Sequence, residues 1–237
     1  MAEEDREEAY RIVQYLMGDD DTSREDIIDR FSQHSHHYDK VLEEANFRSP
    51  SLTALKTAEL FPSDRKNIYI LDVAAGTGLC ADKLYSNGFL KMDALEPSHK
   101  MLDEARKKGR YGRYFTDVLG VNALNIQTDI YDVVTMSALS TVVLKKMPLN
   151  AFEELIRIVK PGKYSTTTSV CHILGGYIIN STLYNLFPDD GDVRAVTFRE
   201  NMKTLEFQGK WKQVELAVYP EAIFEEKGAI SVHKVLK

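Results

Sequence analysis

Residues 70–79 read ILDVAAGTGL: aliphatic positions around one aspartate, then small residues with two glycines. An apolar burst this short, ended by glycines, predicts a buried strand that turns sharply into a helix. Gly76, Gly78 and Ala81 also fit G-x-G-x-x-A, the loop that sets a nucleotide against a helix N-terminus. Whether a phosphate belongs there depends on Asp72, the carboxylate at the strand exit.

Outward from this loop the pattern alternates. IYILDV (68–73) predicts the first strand and the loop helix runs to about Ser86. KMDALE (91–96) is a second strand, and SHKMLDEARKKG (98–109) a helix from Ser98 to Gly109. GRYFTDV (112–118) and YDVVTM (131–136) are the third and fourth strands. NAFEELIRIVKPG (150–162) predicts a helix with Phe152, Leu155, Ile156 and Val159 on one face, stopped by Pro161-Gly162. KYSTTTSV (163–170) is read as the fifth strand. Short apolar strands alternating with amphipathic helices mean parallel βαβ units and a doubly wound sheet.

The ends depart from that rhythm. Tyr10, Val13 and Leu16 recur at helical spacing until Gly18, and a second helix starts at Ser23 with Ile27, Ile28 and Phe31 as its apolar face. SLTALKTAELF, beyond Pro50, is again helical. Residues 1–60 are therefore expected to be a helical segment over the ligand site, with residues 61–237 completing a single domain. After a Tyr- and Asn-rich stretch (171–197), FRENMKTLEFQG predicts a helix. KQVELAVYPEAI and AISVHKVLK predict two closing strands.

Composition narrows the class. A net charge of −6 argues against nucleic acid as the main partner, because phosphate binding needs a concentrated positive face. Cys80 and Cys171 are far apart and in no ligand spacing, which favours a reducing, cytoplasmic home over a disulfide scaffold. The acidic start, MAEEDREEAYRIVQYL, is unlike a signal peptide, and no run nears the roughly 18 apolar residues of a membrane span.

The loop then has to be matched to a cofactor. A dinucleotide would bring pyrophosphate to the helix start, where Asp72 opposes it. Two like charges ~5 Å apart cost roughly 3 kcal/mol at an effective dielectric near 20. The carboxylate favours a cofactor that carries a cation, and S-adenosylmethionine (SAM) has an ammonium and a sulfonium but no phosphate. Glu96, ending the second strand, is placed to accept ribose hydroxyls. An NAD-dependent dehydrogenase also needs an acid there, so Asp72 decides between the two.

ILDVAAGTGL, LEPSHKML, TDVL, YDVVTM and KPGKY, in that order over about residues 68–170, resemble the successive motifs of class I SAM-dependent methyltransferases. More narrowly, HYDKVLEEANFRSP, GFL, SALS and QGKWKQVE are similar to a methyltransferase-like subfamily named for the Williams–Beuren region. The resemblance implies a Rossmann-like seven-stranded, mostly parallel sheet with helices on both faces, an antiparallel last strand and extra N-terminal helices. It implies SAM as cofactor and S-adenosylhomocysteine (SAH) as product. Two departures stand out: Ala74 replaces a third glycine, and KPGK replaces the commoner KPGG. The lack of an Asn/Asp-Pro-Pro-Tyr sequence after the fourth strand speaks against methylation of DNA amino groups.

Carried over by position, Asp72 and Gly76 would meet the methionine end, with Thr77 and Gly78 lining the loop and Ala74 also beside the cofactor. Glu96 would hold the ribose, Pro97 and Met101 would flank the adenine, Asp117 would accept its amino group and Val118 would pack on its ring. Ser137 and Ala138 would form a wall, and Tyr38 and Arg48 would close from upstream. Each has a plainer reading: the glycines make a tight turn, Glu96 a solvated strand end, Asp117 a cap and Tyr38 helix packing.

No convincing catalytic group emerges. His172, after the expected fifth strand, and Tyr38 are the candidates, with Tyr177 and Tyr184 as possible pocket walls. His34, His36 and His37 lack the spacing of a helical zinc site, so no metal is expected. ARKKGRYGR (105–113) reads as the cationic end of a helix, and Cys80 as a core residue. A SAM-dependent methyltransferase acting on a small molecule or a protein side chain fits best. A non-catalytic SAM-binding adaptor is the alternative, and a dehydrogenase is a weaker one.

Overall fold

Strand β1 (Tyr69–Val73) lies at the centre of the sheet, paired in parallel with β2 (Lys91–Leu95) on one side and β4 (Val133–Ser137) on the other. Burial on both faces explains its Ile-Leu-Asp-Val sequence, where a half-exposed strand would alternate with polar residues. The computed structural model describes residues 3–165, 172–174, 176–183, 186–188, 191–223 and 226–237. Beyond β2 stands β3 (Tyr114–Phe115). Beyond β4 come β7 (Tyr177–Leu183), then β9 (Glu226–Val235), then β8 (Trp211–Ile223). The order is β3-β2-β1-β4-β7-β9-β8, and β9 alone runs against the others. This is the seven-stranded sheet with an antiparallel last strand that the resemblance implied.

Helices cover both faces. On one, α8 (Leu149–Ile158) and α9 (Val196–Phe207) pack Phe152, Leu155, Ile156 and Phe198 against Val134, Met136 and Ile178. Each such buried side chain stabilises the fold by roughly 1.5–3 kcal/mol. On the other, α4 (Ser49–Leu60), α5 (Leu79–Ser86) and α6 (His99–Lys108) cover Ile70, Ala94, Val133 and Ile179. Ser98 caps α6 by accepting the Met101 amide, and Gly109, at φ 62, ends it.

The N-terminal helices form as their periodicity predicts. Helix α1 (Glu3–Met17) packs Ala9 and Val13 on Val41 and Leu42 of α3 (Tyr38–Glu44). Between them, α2 (Arg24–His34) starts at Ser23, whose side chain accepts the Asp26 amide. None of the described helices is long and apolar enough to cross a membrane.

The fifth strand is displaced from its expected place. Of the expected strand 163–170 only residues 163–165 are described, and they stand outside the main sheet: β5 (Lys163–Ser165) pairs with β6 (His172–Leu174), as a separate two-stranded ladder. The place beside β4 belongs to β7, with Val133 opposite Tyr177 and Ser137 opposite Ser181. A strand buried on both faces needs continuous apolar residues, which Tyr177, Ile178 and Ile179 supply and the polar STTTS run does not. The chain returns to its point of departure, because a Cβ on Gly176 would lie 2.4 Å from the Gly162 nitrogen. The same two residues are tied to one neighbour: Gly162 N–H donates to the Val235 carbonyl, and Val235 N–H to the Gly176 carbonyl. Sequence reading also missed a short helix, α7 (Thr141–Lys145), after β4.

Candidate cofactor site

A cavity of about 380 Å³ opens at the carboxyl ends of β1, β2 and β4. Ligands of open α/β sheets bind at this end of the strands. Its floor is the loop after β1, where Ala74, Gly76 and Gly78 all have positive φ (54°, 56° and 85°). Gly78 meets a second constraint, since a Cβ there would come within 3.2 Å of the Tyr111 ring. Ala74 adopts the left-handed conformation with a side chain attached, at a cost of about 1–2 kcal/mol.

Glu96 organises this floor. One carboxylate oxygen accepts the Gly76 N–H at 3.0 Å and the other accepts the Ser98 N–H at 2.9 Å. A single side chain therefore fixes both the loop and the start of α6, with lone pairs left to face the cavity. Burial pushes its pKa up to about 7; the two amide bonds oppose that rise, and the nearby Asp72 charge adds to it.

Asp72 is placed differently from the expectation. It does not line the cavity. Its oxygens accept hydrogen bonds from the Tyr111 hydroxyl at 2.7 Å and the Thr135 hydroxyl at 2.7 Å. Strand alternation is the reason: Val73 turns into the cavity, so Asp72 turns to the opposite face of β1. Burial raises its pKa to about 6, against the hydrogen bonds of Tyr111, Thr135 and Cys80. Of the two carboxylates, Glu96 borders the cavity and Asp72 lies behind the loop.

Of the other expected residues, Tyr38, Ala74, Gly76, Pro97, Met101, Asp117, Val118, Ser137 and Ala138 all border the cavity. Thr77 is buried beneath it, donating to an Asp39 oxygen at 2.5 Å, while Lys108 pairs with the other Asp39 oxygen at 2.6 Å. These contacts fasten α3 to the loop. Gly78 caps α5 and is outside the lining. Arg48 is exposed at the start of α4 and borders neither this cavity nor its neighbour, so it does not close over the site.

Tyr177 is a core residue at the start of β7, edge-on to Phe61 at 5.9 Å, and forms no pocket wall. The side chain of His172 and all of Tyr184 lie outside the described residues. His34, His36 and His37 pack ring against ring, and among the described residues no group of three such side chains is arranged to hold a metal.

The roof was not legible as a site. Helix α2 contributes Arg24, Ile28 and Phe31, and the α7 region contributes Val143, Lys146 and Pro148. Lys146 is already engaged with the carbonyls of Asp20 and Thr22. No motif marks these positions, although the helical reading of residues 1–60 expected a cover over the site.

A sheet of this order, with a glycine loop and a buried carboxylate at the ends of β1 and β2, is similar to that of class I SAM-dependent methyltransferases, and part of the chain matches a methyltransferase domain. Residues 70–162 match the methyltransferase domain family. The human methyltransferase-like protein 27 is 34% identical over 126 residues, which are 53% of this chain and 50% of that protein. The chain thus spans about half the length of the curated relative it matches. A SAM-dependent methyltransferase from Leishmania major superposes with a TM-score of 0.60 at 15% identity, covering 97% of this chain and 91% of that one. The [4+2]-cyclase SpnF does so with a TM-score of 0.56 at 16% identity, covering 79% and 80%. At such identities the likeness to both structures concerns the fold alone.

Proposed function

We propose that the chain is a cytoplasmic methyltransferase that binds SAM in this cavity, passes its methyl group to a small-molecule or protein acceptor and releases SAH. The observation that carries this reading is the Glu96 carboxylate, held by the Gly76 and Ser98 amides on the cavity floor. Two features fit SAM better than a dinucleotide. The floor carries the Glu96 carboxyl with Asp72 behind the loop, and the basic residues of the described lining, Arg24 and Lys146, sit on α2 and beyond α7, away from the loop. The free thiol of buried Cys80 suits a reducing compartment.

SAM supplies a methyl group on a sulfonium already activated for displacement. The protein's task is then alignment and exclusion of water, which together can account for most of the rate. In this reading Glu96 accepts the ribose hydroxyls, Pro97, Met101 and Val118 hold the adenine, and Asp117 takes its amino group. Ala74 and Gly76 approach the methionine end by their backbones, and Ser137 and Ala138 wall the reacting centre. Tyr38 closes the cavity as a neutral phenol. Burial, with the charges of Glu96 and Asp39, raises its pKa above the ordinary value, so it positions groups and does not act as a base at neutral pH.

The test is calorimetric titration with SAM, SAH and NADH, followed by transfer of a labelled methyl group to a metabolite and protein panel. Saturable SAM binding with labelled product supports the reading. SAM binding without turnover of any acceptor would favour an adaptor, and NADH binding without SAM affinity a dehydrogenase.

A further inference from the structure

Helices α1, α2 and α3 cover the cavity and have a small core of their own. Ala9 and Val13 of α1 pack with Val41 and Leu42 of α3 and with Ala45 just after it. Among the described residues, none from these three helices enters the two larger apolar clusters of the sheet. From beyond α3 only partly buried side chains reach the cover's core: Phe47, Leu79 and Leu183.

The ties that hold the cover down are largely polar. At one end Lys146 donates to the carbonyls of Asp20 and Thr22, in the turn between α1 and α2. In the middle the Ser32 and Ser98 hydroxyls share a hydrogen bond of 2.6 Å. At the other end Asp39 of α3 meets Thr77 of the loop after β1 and Lys108 of α6. Polar contacts exchange for water when they part, at a smaller net cost than exposing a row of core side chains. A cover held in this way can lift as one body. Glu96 is 7% exposed under a roof that includes Ile27, Ile28, Phe31 and Tyr38, and a ligand as long as SAM has to pass these side chains to reach it.

Of these ties, the one at Asp39 reaches the cofactor loop. Thr77 sits between Gly76 and Gly78, which turn that loop, and is 1% exposed. Its hydroxyl donates to one Asp39 oxygen at 2.5 Å, and Lys108 Nζ lies 2.6 Å from the other. Bonds to an ionised group are about twice as strong as neutral ones, so this tie outweighs the serine pair. The Asp39 side chain is also 42% exposed, so water can replace Thr77 when the contact parts. Its neighbour Tyr38 borders the cavity and meets the Phe31 ring of α2 edge-on at 5.7 Å, which joins the latch end of the cover to its roof.

We propose that Asp39 is a positioning residue for the cofactor: bonded to Thr77, it latches the α1–α3 cover over the site, and this contact parts each time the cofactor enters or leaves. Lys108 holds the carboxylate in place for Thr77. The proposal rests on the methyltransferase reading and adds to it the step that controls cofactor exchange.

The test measures SAH binding to the whole chain, with affinity from calorimetry and both rate constants from surface plasmon resonance. Asp39→Ala is expected to raise the association and dissociation rates together, about tenfold, and to change Kd by less than about threefold. A latch acts on the way in and on the way out, whereas a residue that only adds affinity would change dissociation alone. Asp39→Asn keeps an oxygen for the Thr77 hydroxyl and should return both rates to within about threefold of the parent. Thr77→Val breaks the same contact from the other side, and in combination with Asp39→Ala it should add no further acceleration. If circular dichroism shows Asp39→Ala unfolded, Thr77→Val decides: it should accelerate both rates. Unaltered rates in these variants, faster dissociation alone, or additive effects in the double variant would overturn the proposal while SAH still binds. Failure of the wild-type protein to bind SAH would overturn the cofactor reading itself, and the latch with it.

Discussion

Gly176 is packed on Gly162 so closely that no side chain fits between them: a Cβ on Gly176 would stand 2.4 Å from the nitrogen and 2.6 Å from the Cα of Gly162. The chain leaves the sheet edge at one glycine and rejoins it at the other. Joining Gly162 directly to Gly176 would read Lys-Pro-Gly-Gly-Tyr, the pattern that KPGK interrupts. A variant lacking residues 163–175 is therefore expected to fold with the same sheet and to melt within a few degrees of the parent. Loss of the cooperative transition would show that the β5–β6 ladder supports the fold.

Ala74 offers a gain in stability. Its φ of 54° strains any residue with a Cβ, and Ala74→Gly relieves that strain at a small cost in chain entropy. The expected result is a stabilisation of about 1 kcal/mol in chemical denaturation, with cofactor affinity retained. A loss of stability would mean that the Ala74 methyl packs better than its backbone suffers.

Tyr111→Phe removes one of the two hydroxyls that hold Asp72 and leaves a buried carboxylate half satisfied. Destabilisation of about 1–3 kcal/mol is expected, measured by urea unfolding. Because Tyr111 also abuts Gly78, SAM affinity should fall as the loop loosens. An unchanged midpoint would show that Thr135 alone suffices.

The two raised carboxyl pKa values give the unliganded protein a pH signature. Glu96, at about 7 when folded against 4.5 as its ordinary value, holds its proton more tightly in the folded state. Its contribution is fully favourable below pH 4.5 and is lost as pH rises through 7, on the order of 3 kcal/mol in all. Asp72 behaves alike between 3.8 and about 6. A cation and donating hydroxyls favour the ionised forms, so SAM binding should release protons near pH 6.5 and tighten towards pH 8. Titrations in buffers of different ionisation enthalpy measure this release, and identical heats in all of them would contradict it.

Much of the fold was readable because buried parallel strands and capped helices leave dense signals. ILDV, KMDAL and DVVTM are apolar runs of strand length, and Ser98 and Gly109 bracket α6 as the capping rules require. The fifth strand was misplaced because β-branched STTTS matches strand propensity, while YIINSTL was hidden in a Tyr- and Asn-rich segment. Propensity lost to burial there. Glu96 and the glycine loop were found by spacing. The inward turn of Asp72 follows from the alternation of β1 once Val73 is known to face the cavity, which the loop motif alone does not reveal. The α7 wall carries no motif, since the cavity's roof is made by tertiary packing between segments far apart in the chain.

The most direct measurement is isothermal titration of SAM at pH 7.5 into the wild-type protein and into Glu96→Gln, with circular dichroism confirming that both are folded. Binding of one SAM per chain by the wild type is predicted, weakened about tenfold or more by loss of the Glu96 charge. Equal affinity in the two proteins, or no heat with SAM beside saturable binding of NADH, would contradict it.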